Sequence, residues 1–165
     1  MYCNVLTKFE LKVIRMKTKL LILLALPVLF WACKKDTYTT KPQIKIKSIN
    51  STTLSPGGLL TIQIEFTDAE GDIQDTLWIQ KFSRTCPTTP GVQFTSKNKI
   101  PNFTPTSNLK GILEVNFAYN ANVQGYSPIS SCGTKNDTAY FKFWLQDKAK
   151  NRSDTITSDN IVLLK

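Results

Sequence analysis

From residue 42 onward the chain alternates apolar and polar residues with a period of two. Ile44 and Ile46 alternate with Lys45 and Lys47; Leu60, Ile62, Ile64 and Phe66 with Thr61, Gln63 and Glu65; Leu113, Val115, Phe117 and Tyr119 with Glu114, Asn116 and Ala118. Successive side chains of a strand point to opposite faces, so each run predicts a strand with one buried face. Further strands are expected over 76–82, 93–96, 138–146, 154–157 and 160–164. Turn signals separate them: Ser55, Pro56, Gly57 and Gly58; the run Asp68, Ala69, Glu70, Gly71 and Asp72; residues 101–105; and Asp147 to Asn151. The stretch 83–110 holds Pro87, Pro90, Pro101 and Pro105 and little alternation, so it reads as an extended crossing connection.

Outside the N-terminal segment no apolar pattern holds a 3.6-residue period over three turns. The expected fold is therefore all-β. About seven short strands with alternating faces predict an immunoglobulin-like two-sheet sandwich, because neither sheet can bury its apolar face except against the other. A closed barrel is the second choice.

The first 33 residues follow another pattern. Lys17 and Lys19 lead into an apolar run from Leu20 to Ala32, which ends at Cys33 and the polar residues Lys34, Lys35 and Asp36. Thirteen apolar residues fall short of the roughly 20 that span a bilayer. The segment resembles the signal peptide of bacterial diacylglyceryl-modified lipoproteins, with Ala32 and Cys33 matching the cleavage motif. Phe30 and Trp31 depart from its usual residues, and the looser form of Bacteroidota lipoproteins is the nearer likeness. The resemblance implies cleavage before Cys33, a lipid on its sulfur, and anchoring in the cell envelope at the outer membrane. An uncleaved anchor, or a secretory signal cut elsewhere, would leave Cys33 without a role. Residues 1–15 place Glu10 ahead of the basic start, so Met16 reads as the initiator and 1–15 as an over-extended start. Residues 16–32 are then the signal, 33–41 a tether and 42–165 the domain.

Anchoring changes the charge balance. The whole chain carries +9, but from Cys33 onward 16 basic face 11 acidic side chains, a net +5. The excess is scattered over positions such as Lys45, Lys81, Lys97, Lys110, Lys142 and Lys150, with no run of five like charges, which argues against nucleic-acid binding. Cys86 and Cys132 remain as an even pair in an oxidising compartment and are expected to form a disulfide. The chain contains no His, so no Ser-His dyad, imidazole base or common zinc set is available. Ser107 and Lys110 have Ser-x-x-Lys spacing but sit in a proline-rich β context without the companion motifs. We therefore expect a protein that is not an enzyme. A small glycan-active hydrolase would need two carboxylates facing each other across a cleft.

The run Glu65 to Ile73, with the later Phe143 to Asp154 and a final apolar strand, resembles the immunoglobulin-like domains of Bacteroidota envelope lipoproteins. That likeness implies a fold and a location but no activity. Calcium-binding sandwiches join acidic turns of this kind, so Asp68, Glu70, Asp72 and Asp147, with Asp75 nearby, are candidate calcium ligands. The same residues also suit a tight solvated turn. On strand 138–146, Phe141, Phe143 and Leu145 take one face and Tyr140, Lys142, Trp144 and Gln146 the other. Tyr140 and Trp144 are thus candidates for contacting a carbohydrate or protein partner, or else they pack beneath the long loop. Asp75-Thr76-Leu77, Asp137-Thr138-Ala139 and Asp154-Thr155-Ile156 resemble the acceptor motif for O-glycosylation of exported Bacteroidota proteins, which implicates Thr76, Thr138 and Thr155. The expected function is a lipid-anchored envelope protein acting as a binding or structural module, with an accessory subunit of an outer-membrane complex as the alternative.

Expressed from Met16 in a Gram-negative host, the chain should mature to an N-terminal Cys33 carrying a diacylglyceryl group. Intact-mass spectrometry checks this, and Cys33→Ala should abolish the added mass. A native chain that retains residues 16–32 would refute the signal assignment.

Overall fold

Alternation over the long strands places one apolar row on each of two sheets, and the fold is the burial of those rows against each other. The computed structural model describes residues 37–165, so residues 1–36, including the signal and Cys33, lie outside the described part. The ten strands are β1 (Gln43–Ile49), β2 (Thr53–Leu54), β3 (Leu59–Asp68), β4 (Thr76–Ser83), β5 (Phe94–Lys99), β6 (Leu109–Tyr119), β7 (Ser127–Ile129), β8 (Asp137–Gln146), β9 (Ile156–Thr157) and β10 (Ile161–Leu163). One sheet has the order β1-β3-β6-β7. The other runs β2-β10-β8-β4-β5, with β9 added beside β8. Among the described residues there is no helix.

The architecture is thus an all-β, two-sheet sandwich, as expected, with ten strands rather than about seven. The two strands that alternation did not reveal, β2 and β7, are two and three residues long. Both pair in parallel, β2 with β10 and β7 with β6. Runs this short contain no readable period. The long connection 83–110 contains β5, which pairs antiparallel with β4 from Thr76↔Lys99 to Lys81↔Phe94.

The core follows the inward phase. Leu60, Ile62, Ile64 and Phe66 of β3 and Phe117 of β6 face Leu77, Ile79, Phe141, Phe143 and Leu145 of the second sheet, and Phe117 stacks on Phe141 at 4.9 Å. Ile73 and Ile100 add to it from turns. A glycine inside a strand normally weakens it, but Gly111 of β6 sits opposite Phe66 of β3. A Cβ there would come within 2.6 Å of the Phe66 ring, so the ring occupies the space that the glycine leaves.

Two inward positions are not apolar. Lys81 follows Ile79 in phase and is 1% exposed, so it is no part of the surface charge. Its ammonium donates to the carbonyls of Val92 at 2.8 Å and Ser130 at 2.9 Å and lies 3.8 Å from Asp137 Oδ2. Burial pushes its pKa down, and the Asp137 carboxylate opposes that shift. Asp137 is fully buried and accepts a 2.5 Å bond from Ser83 Oγ. Ser83 Oγ also accepts the backbone N–H of Cys86, and Cys86 is joined to Cys132 as expected. Lys81 and the disulfide together fasten the long connection and the β7–β8 loop to the end of β4. Before β1, Tyr38 N donates to Asn108 Oδ1, Ala69 N donates to Thr39 O, and Lys41 pairs with Asp154 at 2.7 Å. Contacts with the domain therefore begin ahead of Pro42.

The Cys86–Cys132 bridge spans 46 positions, and closing a loop of that size in the unfolded chain corresponds to about 4 kcal/mol of stabilisation. The double variant Cys86→Ser, Cys132→Ser should lose stability on that order in urea unfolding at equal m-value. A loss under 1 kcal/mol would show that Lys81 and the strand ladder hold this end without the bridge.

Candidate functional site

The outward phase of β4 and β8 builds an ordered surface. Trp78, Gln80 and Phe82 of β4 alternate with its buried residues, as do Tyr140, Lys142, Trp144 and Gln146 of β8. The register sets Trp78 opposite Trp144 and Phe82 opposite Tyr140. The indoles stack at 5.4 Å and 15°, and the second ring pair stacks at 5.1 Å and 13°. A cation lies over a ring at each side of each pair. Lys97 is 4.4 Å from the Trp78 ring centre and Arg152 4.6 Å from that of Trp144. Arg84 is 4.7 Å from that of Tyr140 and Lys142 5.2 Å from that of Phe82. Each contact is worth about 0.5–1 kcal/mol at an exposed site.

Tyr140 and Trp144 therefore lie where the alternation puts them, but neither is an isolated ring. Their partners Trp78 and Phe82 come from a strand about 60 positions earlier, and only the β4–β8 register reveals the pairs. Each of the four half-buried rings has a stacked ring on one contact and a cation on another, so the outer face of the sheet combines aromatic and cationic groups. Among the described residues none of Arg84, Lys97, Lys142 or Arg152 has a carboxylate at salt-bridge distance; the ion pairs there use Lys41, Lys45, Lys81, Lys110 and Lys150. The surface is suited to an anion. Tyr119, by contrast, is fully buried, its hydroxyl 2.6 Å from both Ser131 Oγ and Leu164 O.

The acidic turn between β3 and β4 meets the turn after β8. Lys148 N donates to Asp72 O, and Ala149 N to Asp72 Oδ2. Asp68, Asp72 and Asp147 each bring one carboxylate oxygen to a common point, all within 4.8 Å of one another. Asp68 and Asp147 are fully buried. Asp68 Oδ2 accepts the N–H groups of Gly71 at 2.6 Å and Asp72 at 3.2 Å. Asp147 accepts the backbone N–H and side-chain amide of Asn151. Asp68 Oδ1 and Asp72 Oδ1 are buried with no hydrogen-bond partner, and so is Gln74 Oε1. Burial is the main cause that raises the Asp68 pKa, with the charges of Asp72 and Glu70 adding to it.

Two of the acids from the sequence reading lie elsewhere. Glu70 is exposed and takes no place in the cluster, because its side chain follows the turn outward. Asp75 is tied at 2.7 Å to Lys150, whose hydrogen bond draws its pKa down. The second group of metal-ligand types, Cys86, Cys132 and Asp137, has both sulfurs committed to the disulfide and offers no thiolate. Of the three threonines in the acceptor-like tripeptides, Thr155 is exposed in a loop, while Thr76 and Thr138 are half-buried within strands. Thr76 also bonds Asp75 Oδ1.

No protein-family model matches the chain, and no curated protein matches it. Among solved structures, the crystal structure of Spo0M, a sporulation control protein from Bacillus subtilis, is similar at 8% identity with a TM-score of 0.42. That match covers 76% of this chain and 50% of the other, so the chain spans half the length of the neighbour.

Gly71 lets the acidic turn close. Its φ of +72° is costly for other residues, and a Cβ would sit 2.2 Å from the carbonyl oxygen of Thr106. Gly71→Ala should therefore destabilise the domain by more than about 2 kcal/mol in urea unfolding. Gly57→Ala, with φ +83° but open space around the site, should cost only about 1 kcal/mol of backbone strain. Equal costs would mean that Thr106 yields and the turn is not tightly packed.

Proposed function

We propose that this chain is a lipid-anchored protein of the bacterial cell envelope, at the outer membrane, whose immunoglobulin-like domain is a non-catalytic module binding an acidic polysaccharide. The observation that carries the reading is the pair of cation–ring–ring–cation rows on the outer face of the six-stranded sheet. Four cations without carboxylate partners, held in place by ring stacks, reduce the ordering cost of gripping a repeating anion. Displacing a cation toward a carboxylate or sulfate also bares an indole face for a sugar ring. The immunoglobulin-like assignment is supported by the sheet orders, with β1-β3-β6 as strands A, B and E and β10-β8-β4 as G, F and C. The envelope location rests on the likeness of residues 16–33 to a lipoprotein signal.

A second observation favours the accessory-subunit reading. A cleft of about 420 Å³ opens between β5 and β6, lined by Leu77, Ile79, Phe94, Leu113 and Val115. Beside it the outer edge of β6 pairs with β7 only over Phe117–Tyr119, and Ile112 is 46% exposed. A docked protein strand would satisfy both the edge and the cleft.

Affinity electrophoresis in gels containing alginate tests the polysaccharide reading, with neutral dextran and a single-stranded oligonucleotide as comparators. Alginate should retard the protein in a salt-sensitive way, and dextran should not. The double variant Lys97→Glu, Arg152→Glu should weaken retardation at least tenfold without moving the unfolding midpoint by more than a few degrees. Equal retardation by dextran, stronger binding of the oligonucleotide, or a double variant that binds like the native chain would each overturn the reading.

A further inference from the structure

The acidic turn carries an inference independent of the polysaccharide face. We propose that Asp68, Asp72 and Asp147 form a calcium site that joins the β3–β4 turn to the turn after β8. The argument starts from unbalanced charge. Three carboxylates converge within 4.8 Å, two of them on fully buried residues. Lys150 of the same hairpin is committed to Asp75, and among the described residues no lysine or arginine forms an ion pair with Asp68, Asp72 or Asp147. Like charges gathered in a poorly solvated place repel strongly, and a protein tolerates them when a cation lies among them.

The second line of argument is hydrogen-bond accounting. Buried oxygens in folded proteins are almost always paired. Here Asp68 Oδ1 and Asp72 Oδ1 are buried and unpaired, whereas the opposite oxygen of each carboxylate accepts backbone N–H groups. The backbone thus fixes one oxygen of each carboxylate and leaves the other with an open lone pair. Gln74 adds a third unpaired buried oxygen from the same turn, its amide nitrogen held on Gly71 O and Phe103 O. A hard cation is the ligand that accepts several anionic oxygens and offers no proton.

Coordination chemistry favours calcium: Ca²⁺ takes six to eight oxygens in a flexible geometry that carboxylates from two separate turns can meet with water completing the set, whereas Mg²⁺ demands a near-ideal octahedron and gives up its own water reluctantly.

The test uses the full chain, purified in detergent and stripped with EDTA, in calorimetric titrations and thermal unfolding with CaCl₂. We expect one Ca²⁺ per chain and a midpoint higher by several degrees at 1 mM Ca²⁺, with a much smaller rise in MgCl₂ at equal ionic strength. Asp72→Asn keeps the acceptor for Ala149 N and removes one charge. It should raise the midpoint of the ion-free protein and abolish the calcium response, a pair of opposite signs that general destabilisation cannot mimic. Glu70→Gln, which removes a charge that acts on Asp68 from a distance but no ligand, should change both far less than Asp72→Asn. The site is refuted if native protein shows no heat and no shift at 1 mM Ca²⁺, if Mg²⁺ matches Ca²⁺, or if Glu70→Gln removes the response as fully as Asp72→Asn. Loss of alginate binding in the other assay would not alter any of these readings.

Discussion

Burial of two apolar faces against each other is the constraint on which the rest of this structure depends. The inward residues of β3, β4, β6 and β8 leave water only if the two sheets stack, and once they stack the phase of every strand is set. That phase aligns Trp78, Phe82, Tyr140 and Trp144 on the opposite face of the second sheet. A slip of one residue in β8 would exchange this surface with the Phe141, Phe143 and Leu145 core. The outer surface and the core are therefore one decision rather than two.

Polar chemistry sits at the two ends of the β4–β8 pair. At one end Lys81, Ser83 and Asp137 are buried beside the Cys86–Cys132 bridge. At the other, Asp68, Asp72 and Asp147 meet where β4 begins and β8 ends. The first cluster is balanced in charge, an ammonium held by two carbonyls against a carboxylate that accepts a hydroxyl on Oδ1, while Asp137 Oδ2 faces the ammonium at 3.8 Å without a hydrogen bond. The second forms no ion pair among the described residues. The same short turn that carries Asp147 and Asn151 leads to Arg152, the guanidinium over Trp144. The acidic turn and the aromatic face thus share a hairpin.

Much of the fold was legible in residues 42–165 because a half-buried strand writes its burial into the sequence with a period of two. Each run read as a strand lies within or overlaps a strand of the structure, and the even pair of cysteines forms its bridge. β2 and β7 were not legible, since strands of two or three residues hold no period and owe their existence to a neighbour's free edge. Lys81 was counted only as part of the scattered positive excess, although its place two residues after Ile79 already assigned it inward. Glu70 was grouped with the acidic ligands because adjacency along a turn does not tell which side chains turn the same way.

By itself the sequence determined the class of fold, the phase of the long strands, the bridge between Cys86 and Cys132, and which residue types were present for chemistry. Tertiary structure alone decided which of them meet. Trp78 reached Trp144, Asp68 reached Asp147 and Lys81 reached Asp137 only through the register of strands distant along the chain. The physical reason is range: alternation is a local consequence of backbone geometry, whereas a site is made by contacts between segments that the burial of the core brings together.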